Sequence, residues 1–167
     1  MNLSEIPQGE MVVLDANIVI YSVRNVSRQC RQIFRRCAEQ DLSCIMSSQQ
    51  IAEVMHRLMI AEALDNKWIS GSNPARKLSE KPDRIKALHR YDQALRDLFG
   101  IGIILQPALR EDFMLALSIQ RQFGLMTNDA LLVACAQRIR CRSIASSDKR
   151  LRSVRDIVVY EPDDLEV

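Results

Sequence analysis

The chain has 167 residues, of which 47% are hydrophobic and 26% charged, a composition that suits one domain with a buried core. Its net charge of +2 is too small to identify a nucleic-acid binder from bulk charge alone. Five cysteines without any Cys-x-x-Cys pair argue against a zinc ribbon and against a disulfide framework. We expect a cytoplasmic protein, because there is no secretory signal pattern and no apolar run of the roughly 20 residues that a membrane helix needs.

Short apolar runs recur along the chain and predict five buried strands of a parallel sheet. The runs lie at residues 11–14, 43–46, 103–105, 143–145 and 157–160. Between them, apolar residues recur at the spacing of amphipathic helices. This alternation predicts βαβ units in a three-layer α/β/α fold, with a mostly parallel sheet of about five strands.

Local signals predict where several helices begin and end. Ser27 is expected to cap the second helix, and Thr127 or Asn128 the last long helix. The helix at 110–123 is expected to end at Gly124.

The region at 66–83 differs from the rest, because Pro74 and Pro82 interrupt any regular pattern. We interpret it as an irregular excursion from a single domain, residues 1–167, with its core at 11–160. A continuous helix is expected to resume afterwards.

Four acidic residues stand at equivalent places of the predicted fold. Asp15 and Asp148 follow the first and fourth strands, whereas Glu53 and Asp129 lie in the opening turns of helices. In a parallel α/β sheet, strand ends and helix starts meet at one edge, where ligand sites form. Carboxylates gathered there repel one another and are costly to leave ionised without a cation. The pattern therefore predicts a site for Mg²⁺ or Mn²⁺, which prefer oxygen ligands.

Such a site suits hydrolysis of phosphodiesters. One bound ion can lower the pKa of a water molecule, and a second, if present, can stabilise the leaving oxygen. No histidine base or cysteine nucleophile is required, which fits a chain with only two histidines. We therefore interpret the chain as a metal-dependent hydrolase of phosphodiesters and, more specifically, as a ribonuclease.

Each acid also has an ordinary structural explanation. Asp15 could be a turn residue, and Asp129 could complement a helix dipole. Asp148 could cap the short run that follows it. Glu53 could form an ion pair with Arg57, four residues further along the helix. The joint placement of the acids, more than any one of them, favours a functional site.

Basic residues cluster in two segments and could hold a phosphate backbone, although a solvated helix face explains the first cluster equally well. The first cluster is Arg24, Arg28, Arg31, Arg35 and Arg36, and the second is Lys149, Arg150, Arg152 and Arg155.

Four segments, taken in order, resemble the PIN-domain ribonucleases and, among them, the VapC-type toxins. They are VVLDANI at 12–18, SSQQIAEVMHRL at 47–58, TNDALLVACA at 127–136 and SSDKRL at 146–151. The third segment is the most specific. The sequence departs from the family pattern at Arg150, where many members have a second aspartate, and at Leu151, where they have phenylalanine.

The resemblance implies Mg²⁺- or Mn²⁺-dependent cleavage of RNA by a homodimer that a cognate antitoxin protein inhibits. It implies that the four acids carry the metal, that Asn17 supports the site by hydrogen bonding, and that Ser147 assists in the same way. Two alternatives stay open: an RNA-processing nuclease without a toxin role, and a catalytically silent RNA-binding or scaffold module with the same fold.

Overall fold

The structure, a computed structural model, describes residues 1–165. Its centre is one sheet of five parallel strands in the order β3-β2-β1-β4-β5. The strands are β1 Met11–Leu14, β2 Ser43–Ser47, β3 Ile104–Gln106, β4 Ser143–Ala145 and β5 Val158–Tyr160. The predicted parallel sheet is confirmed, with strand bounds within one residue of those expected.

Helices cover both faces of the sheet. They are α1 Ala16–Val23, α2 Arg28–Ala38, α3 Ser48–Asp65, α4 Pro74–Ser79, α5 Pro82–Ala87, α6 Arg90–Gly100, α7 Arg110–Phe123 and α8 Thr127–Arg138. Short 3₁₀ helices occupy Leu3–Glu5 and Lys149–Ser153. Residues of α1, α2, α3 and α6 form the core on one face, and residues of α7 and α8 form it on the other. This is the predicted three-layer α/β/α architecture.

The central strand β1 shows why both layers are needed. Val12 and Leu14 lie in one core, whereas Val13 lies in the other, because successive side chains of a strand point to opposite faces. Val13 is aligned with Ile45 of β2 and with Ile144 of β4, and all three share the second core. A strand that is apolar on both faces must be covered on both faces.

Two of the predicted helix ends are confirmed by the structure, and a third is wrong. Ser27 caps α2 by accepting a hydrogen bond from the Cys30 N–H at 2.9 Å, and α7 ends at Gly124, which has a φ of 67°. The predicted cap of α8 by Thr127 or Asn128 is wrong, because the capping position is Met126 and no side chain bonds there. Thr127 and Asn128 instead contact other elements of the fold.

The segment at 66–83, expected to be irregular, contains α4 and the start of α5. Both helices begin with a proline, a residue that suits the first turn of a helix as well as a break. Ile69 and Leu78 are buried with Leu88 in a small third core. The continuous helix expected after this segment is divided into α5 and α6. In residues 1–165, no helix is both long and apolar enough to cross a bilayer.

A buried carboxylate joins α3 to the start of α6. Glu62 is 3% exposed, and its two oxygens accept the backbone N–H groups of His89 and Tyr91, each at 3.0 Å. Burial by itself raises the pKa of Glu62, but these N–H groups, together with the backbone and charge of Arg90, bring it below its ordinary value. Glu62 therefore stabilises the helix start only when it is ionised.

We expect Glu62→Gln to lower the free energy of unfolding at pH 7 by about 1–3 kcal/mol, because an amide cannot accept both N–H groups through two oxygens. Urea denaturation measures the difference. Since the native pKa is lowered, the contribution is present above the ordinary value near 4.5 and disappears as the pH falls through the native pKa.

Glu80→Gln is the matched control. Glu80 pairs with Arg76 at the surface, so its substitution should change stability by less than about 0.5 kcal/mol. Equal stability of the two variants would show that Glu62 does not join α3 to α6.

Candidate active site

The four predicted acids lie at the carboxyl edge of the sheet. Asp15 directly follows β1 and precedes α1, and Asp148 follows β4 and precedes the 3₁₀ helix Lys149–Ser153. Glu53 lies in the second turn of α3, and Asp129 lies in the first turn of α8. The negative charges of Asp148, Asp15 and Glu53 all act on Asp129, and that of Glu53 acts on Asp15. The structure thus brings together residues that are far apart in the chain.

Asp15 is the most buried of the four, at 4% exposure. Its Oδ2 accepts hydrogen bonds from the Ser146 hydroxyl at 2.6 Å and from the Asn17 amide at 3.0 Å. Burial raises the pKa of Asp15 above its ordinary value, although both bonds favour the charged form. Asn17 thus donates a hydrogen bond to Asp15, and its supporting role in the function stays a prediction.

The serine that contacts the site is Ser146 rather than Ser147. The Ser147 hydroxyl lies 3.5 Å from the hydroxyl of Tyr21 instead of contacting an acid. The Ser146 hydroxyl, besides binding Asp15, accepts the backbone N–H of Asp148 at 3.0 Å. Ser146 thus connects the two acids that follow β1 and β4.

Glu53 is held by two neighbours. Its Oε1 lies 3.3 Å from the Arg57 guanidinium, and its Oε2 accepts the Asn128 amide at 2.7 Å. Arg57 also donates to the side-chain amide oxygen of Asn17 at 2.6 Å, so it is linked through Asn17 to Asp15. The ion pair with Arg57, considered above as an alternative to function, is therefore present and forms part of the site.

Asp129 differs from Asp15 and Glu53 in the contacts of its carboxylate. No hydrogen bond to its carboxylate is found among residues 1–165, and its environment is set by burial and charge. Burial, followed by the charges of Asp148 and Asp15, raises its pKa to about 6. Asp129 is therefore the acid with the least compensation for its negative charge.

Asp148 is compensated by a neighbouring arginine. Burial raises its pKa, but the side chain and backbone N–H of Arg150 outweigh that effect and leave the pKa below its ordinary value. Asp148 also caps the 3₁₀ helix, since its Oδ1 accepts the Arg150 N–H at 2.9 Å. The capping explanation of Asp148 is thus correct and compatible with a place in the cluster.

The donor set fits a hard cation, although the acids are not arranged around one. Within the described residues, no group of three or more histidine, cysteine, aspartate or glutamate side chains is positioned to hold a metal ion. Glu53 and Asp148 are each paired with an arginine, whereas Asp129 accepts no hydrogen bond from residues 1–165. Mg²⁺ is commonly bound by only one or two carboxylates together with water. Asp15 and Asp129 fit that requirement.

A buried glutamine supports the site and was not identified from the sequence. Gln50 is 1% exposed, and its amide oxygen accepts the N–H of Ala16, next to Asp15, at 2.7 Å. It connects α3 to the start of α1 and so helps to position the first acid. The available signal was a polar residue beside Ile51 on the apolar side of α3.

The first basic cluster lies at the end of α1 and on α2, and three of its members are paired. Arg24, Arg35 and Arg36 form ion pairs with the side chains of Asp65, Glu39 and Asp41, respectively. The pairing of the exposed Arg24 and Arg35 favours a solvated surface for these two residues. Arg36, by contrast, is only 16% exposed and also donates to the Ile6 carbonyl at 2.8 Å.

Comparison with known proteins gives one family and a set of similar folds. Residues 12–157 match the PIN domain family. No curated protein matches the sequence.

Three solved structures have a similar fold at low sequence identity. VapBC2 from Rickettsia felis, bound to a DNA fragment from its promoter, is 13% identical with a TM-score of 0.59, covering 92% of this chain and 99% of that one. A toxin-antitoxin complex from Klebsiella pneumoniae is 15% identical with a TM-score of 0.56, covering 88% and 95%. FitAcB from Neisseria gonorrhoeae is 19% identical with a TM-score of 0.54, covering 90% and 96%.

We expect Asp129→Asn to raise the free energy of unfolding of the metal-free protein by about 1 kcal/mol at pH 7.5. The substitution removes a carboxyl group whose pKa is raised from 3.8 to about 6 in the native state. Because a raised acid pKa lowers stability only where the group ionises, the gain should vanish as the pH falls below about 4. Urea denaturation in EDTA measures it.

Asp148→Asn is the control, because the opposite change in the free energy of unfolding is expected for it. The pKa of Asp148 is lowered, so its charge stabilises the fold and its removal should reduce stability. If both variants are destabilised alike, the carboxylates do not repel one another as the structure indicates.

Proposed function

The chain belongs to the PIN domain family, and from this we propose that it is a divalent-metal-dependent endoribonuclease that hydrolyses RNA phosphodiester bonds. PIN domains are generally nucleases. The observation that carries the proposal is the collection of Asp15, Glu53, Asp129 and Asp148 at one edge of the sheet, with oxygen as the only type of ligand atom. Such a cluster is costly unless a cation or another positive charge compensates it.

In this proposal Asp15 and Asp129 hold Mg²⁺ or Mn²⁺ directly, and Glu53 and Asp148 complete the negative pocket. When bound, the ion acidifies a water molecule and neutralises charge that develops on the phosphate. Asn17 and Ser146 keep the Asp15 carboxylate in position through hydrogen bonds. Because Asp15 is almost fully buried, its orientation is fixed before RNA arrives.

We further propose that the protein is the toxin of a toxin-antitoxin pair and that a cognate antitoxin protein inhibits it. The support is the shared fold with VapBC2 and with the Klebsiella toxin-antitoxin complex. A reducing cytoplasm is the proposed location, since all five cysteines are buried free thiols.

A second candidate is a catalytically silent RNA-binding module. It is favoured by the finding that, in the described part of the chain, the acids are not arranged to hold a metal ion. Metal binding and cleavage separate the two candidates.

We expect the purified protein to cleave labelled RNA with Mg²⁺ or Mn²⁺ and to stop when EDTA removes the metal. Asp15→Asn and Asp129→Asn should each reduce the cleavage rate by at least about 100-fold, because each removes a proposed metal ligand. Gel analysis of the products measures cleavage, and circular dichroism checks the fold. Asp65→Asn, which alters a surface carboxylate on α3, is the control and should retain activity.

Cleavage that is equal with and without EDTA, or full activity of both variants, would contradict the proposed function. The toxin role adds a cellular measurement. Expression should arrest growth, the product of a neighbouring gene should relieve the arrest, and Asp15→Asn should be harmless. Harmless overproduction of an active enzyme would favour the RNA-processing role.

We propose that a second copy of the chain covers an apolar surface on β3 and α7. This surface, defined by Ile104, Phe113, Met114 and Leu117, has exposed fractions from 45% to 58%. Exposed apolar area of this kind marks interaction sites. The four residues are uncharged. A two-fold dimer requires a surface that is complementary to itself, and an uncharged apolar surface meets this requirement.

We expect the wild-type protein to be a dimer in sedimentation analysis and Leu117→Glu to shift it to monomer, because two introduced charges would be buried near each other. Leu64→Glu, at an exposed leucine on α3, is the matched control and should stay dimeric. A monomeric wild type, or a Leu117→Glu dimer, would exclude this surface.

A further inference from the structure

Arg150 makes more contacts with the carboxylate of Asp148 than an ordinary surface ion pair does. Its Nε lies 3.2 Å from each carboxylate oxygen, and its Nη2 lies 3.0 Å from Oδ2. The backbone N–H of Arg150 adds a fourth contact at 2.9 Å. One residue thus satisfies both oxygens of an acid in the proposed metal pocket.

The charge of Arg150 extends beyond its direct partner. It also acts on Asp129, the acid whose carboxylate accepts no hydrogen bond within the described part of the chain. On the other side of the pocket, Arg57 contacts Glu53 at 3.3 Å. Two arginines therefore stand within the acid cluster.

The charges of the pocket can be counted. Four carboxylates contribute −4 and two guanidinium groups contribute +2, so the net charge is −2. One divalent cation balances this charge. A second would leave an excess of +2 in a partly buried pocket, where unbalanced charge is costly.

We propose that the pocket takes one divalent ion and that Arg150 stands in place of a second, as a phosphate-binding residue for RNA. This inference rests on the proposed nuclease function. The Arg150 side chain is 62% exposed, so part of its guanidinium group faces the solvent while Asp148 fixes its position. A guanidinium that is held by one carboxylate and open on its other side is well suited to a phosphate oxygen. Arg150 is thus a substrate-binding residue, held in position by Asp148.

A purely structural role for Arg150 makes a different prediction. If Arg150 only secured the cap of the 3₁₀ helix, its substitution would change stability but not metal count or RNA affinity. Arg152 offers a matched comparison, because it lies in the same helix, is 57% exposed and pairs with Glu161 rather than with the acid cluster.

Titration of the metal-free protein with Mn²⁺ in a calorimeter tests the metal count. The wild type, Arg150→Lys and Arg152→Gln should each bind one ion per chain. Arg150→Gln should bind the first ion about tenfold more tightly and bind a second weakly, since the excess charge with two ions falls from +2 to +1 when the guanidinium is removed. Two ions on the wild type, or an Arg150→Gln titration identical to the wild type, would overturn the inference. No Mn²⁺ binding by any variant would instead contradict the proposed function.

Fluorescence anisotropy with a labelled single-stranded RNA tests the phosphate contact without turnover. In an Asp15→Asn background, Arg150→Gln should weaken binding about tenfold and reduce the slope of log affinity against log salt by about 0.7. Arg150→Lys should restore most of the affinity, and Arg152→Gln should change it little. Unchanged RNA affinity and salt slope in Arg150→Gln would show that Arg150 does not contact phosphate.

Discussion

Repulsion among four carboxylates at one edge of the sheet is the constraint on which the site depends. The negative charges of the four acids are compensated to different extents by their neighbours. Asp15 is buried and stabilised by Asn17 and Ser146, whereas Glu53 and Asp148 are each paired with an arginine. Asp129 receives no such bond among the described residues, and its pKa is raised to about 6. Under the proposed function, this uneven compensation places the cation beside Asp129, which a count of acidic residues alone cannot do.

The strand order explains why the pocket lies where it does. From β1 the chain proceeds outward to β2 and β3 with its helices on one face, then crosses to the other face through α7 and α8 and returns to β4 beside β1. The direction of the strand order therefore reverses between β1 and β4, and open α/β sheets bind ligands at such a switch point. Asp15 and Asp148 emerge on the two sides of it, and Ser146 links them.

The similarity to solved structures at 13–19% identity shows that the fold tolerates nearly complete sequence change. Cores of this kind require apolar residues of suitable size and pattern rather than particular residues. In the pocket of this chain, Arg150 contacts Asp148 through its guanidinium group and its backbone N–H, so the chain itself compensates part of the negative charge.

The sequence by itself determined the features that depend on near neighbours. The valine-rich run before Asp15, the Ser27 cap and the stop at Gly124 each follow from a few adjacent residues, and alternating strands and helices were enough to predict a parallel sheet with four acids at one edge. Local signals were ambiguous where one residue type permits two structures, as with the prolines that start α4 and α5.

Only the tertiary structure decided which serine contacts Asp15 and which acids are paired with arginines. Ser146 and Ser147 are adjacent and chemically identical, and the direction of the chain after β4 directs one to the pocket and the other to Tyr21. The link from Arg57 through Asn17 to Asp15 spans some 40 residues of sequence. Such contacts exist only after the two layers of helices have packed on the sheet, because packing alone sets distances between residues that are remote in the chain.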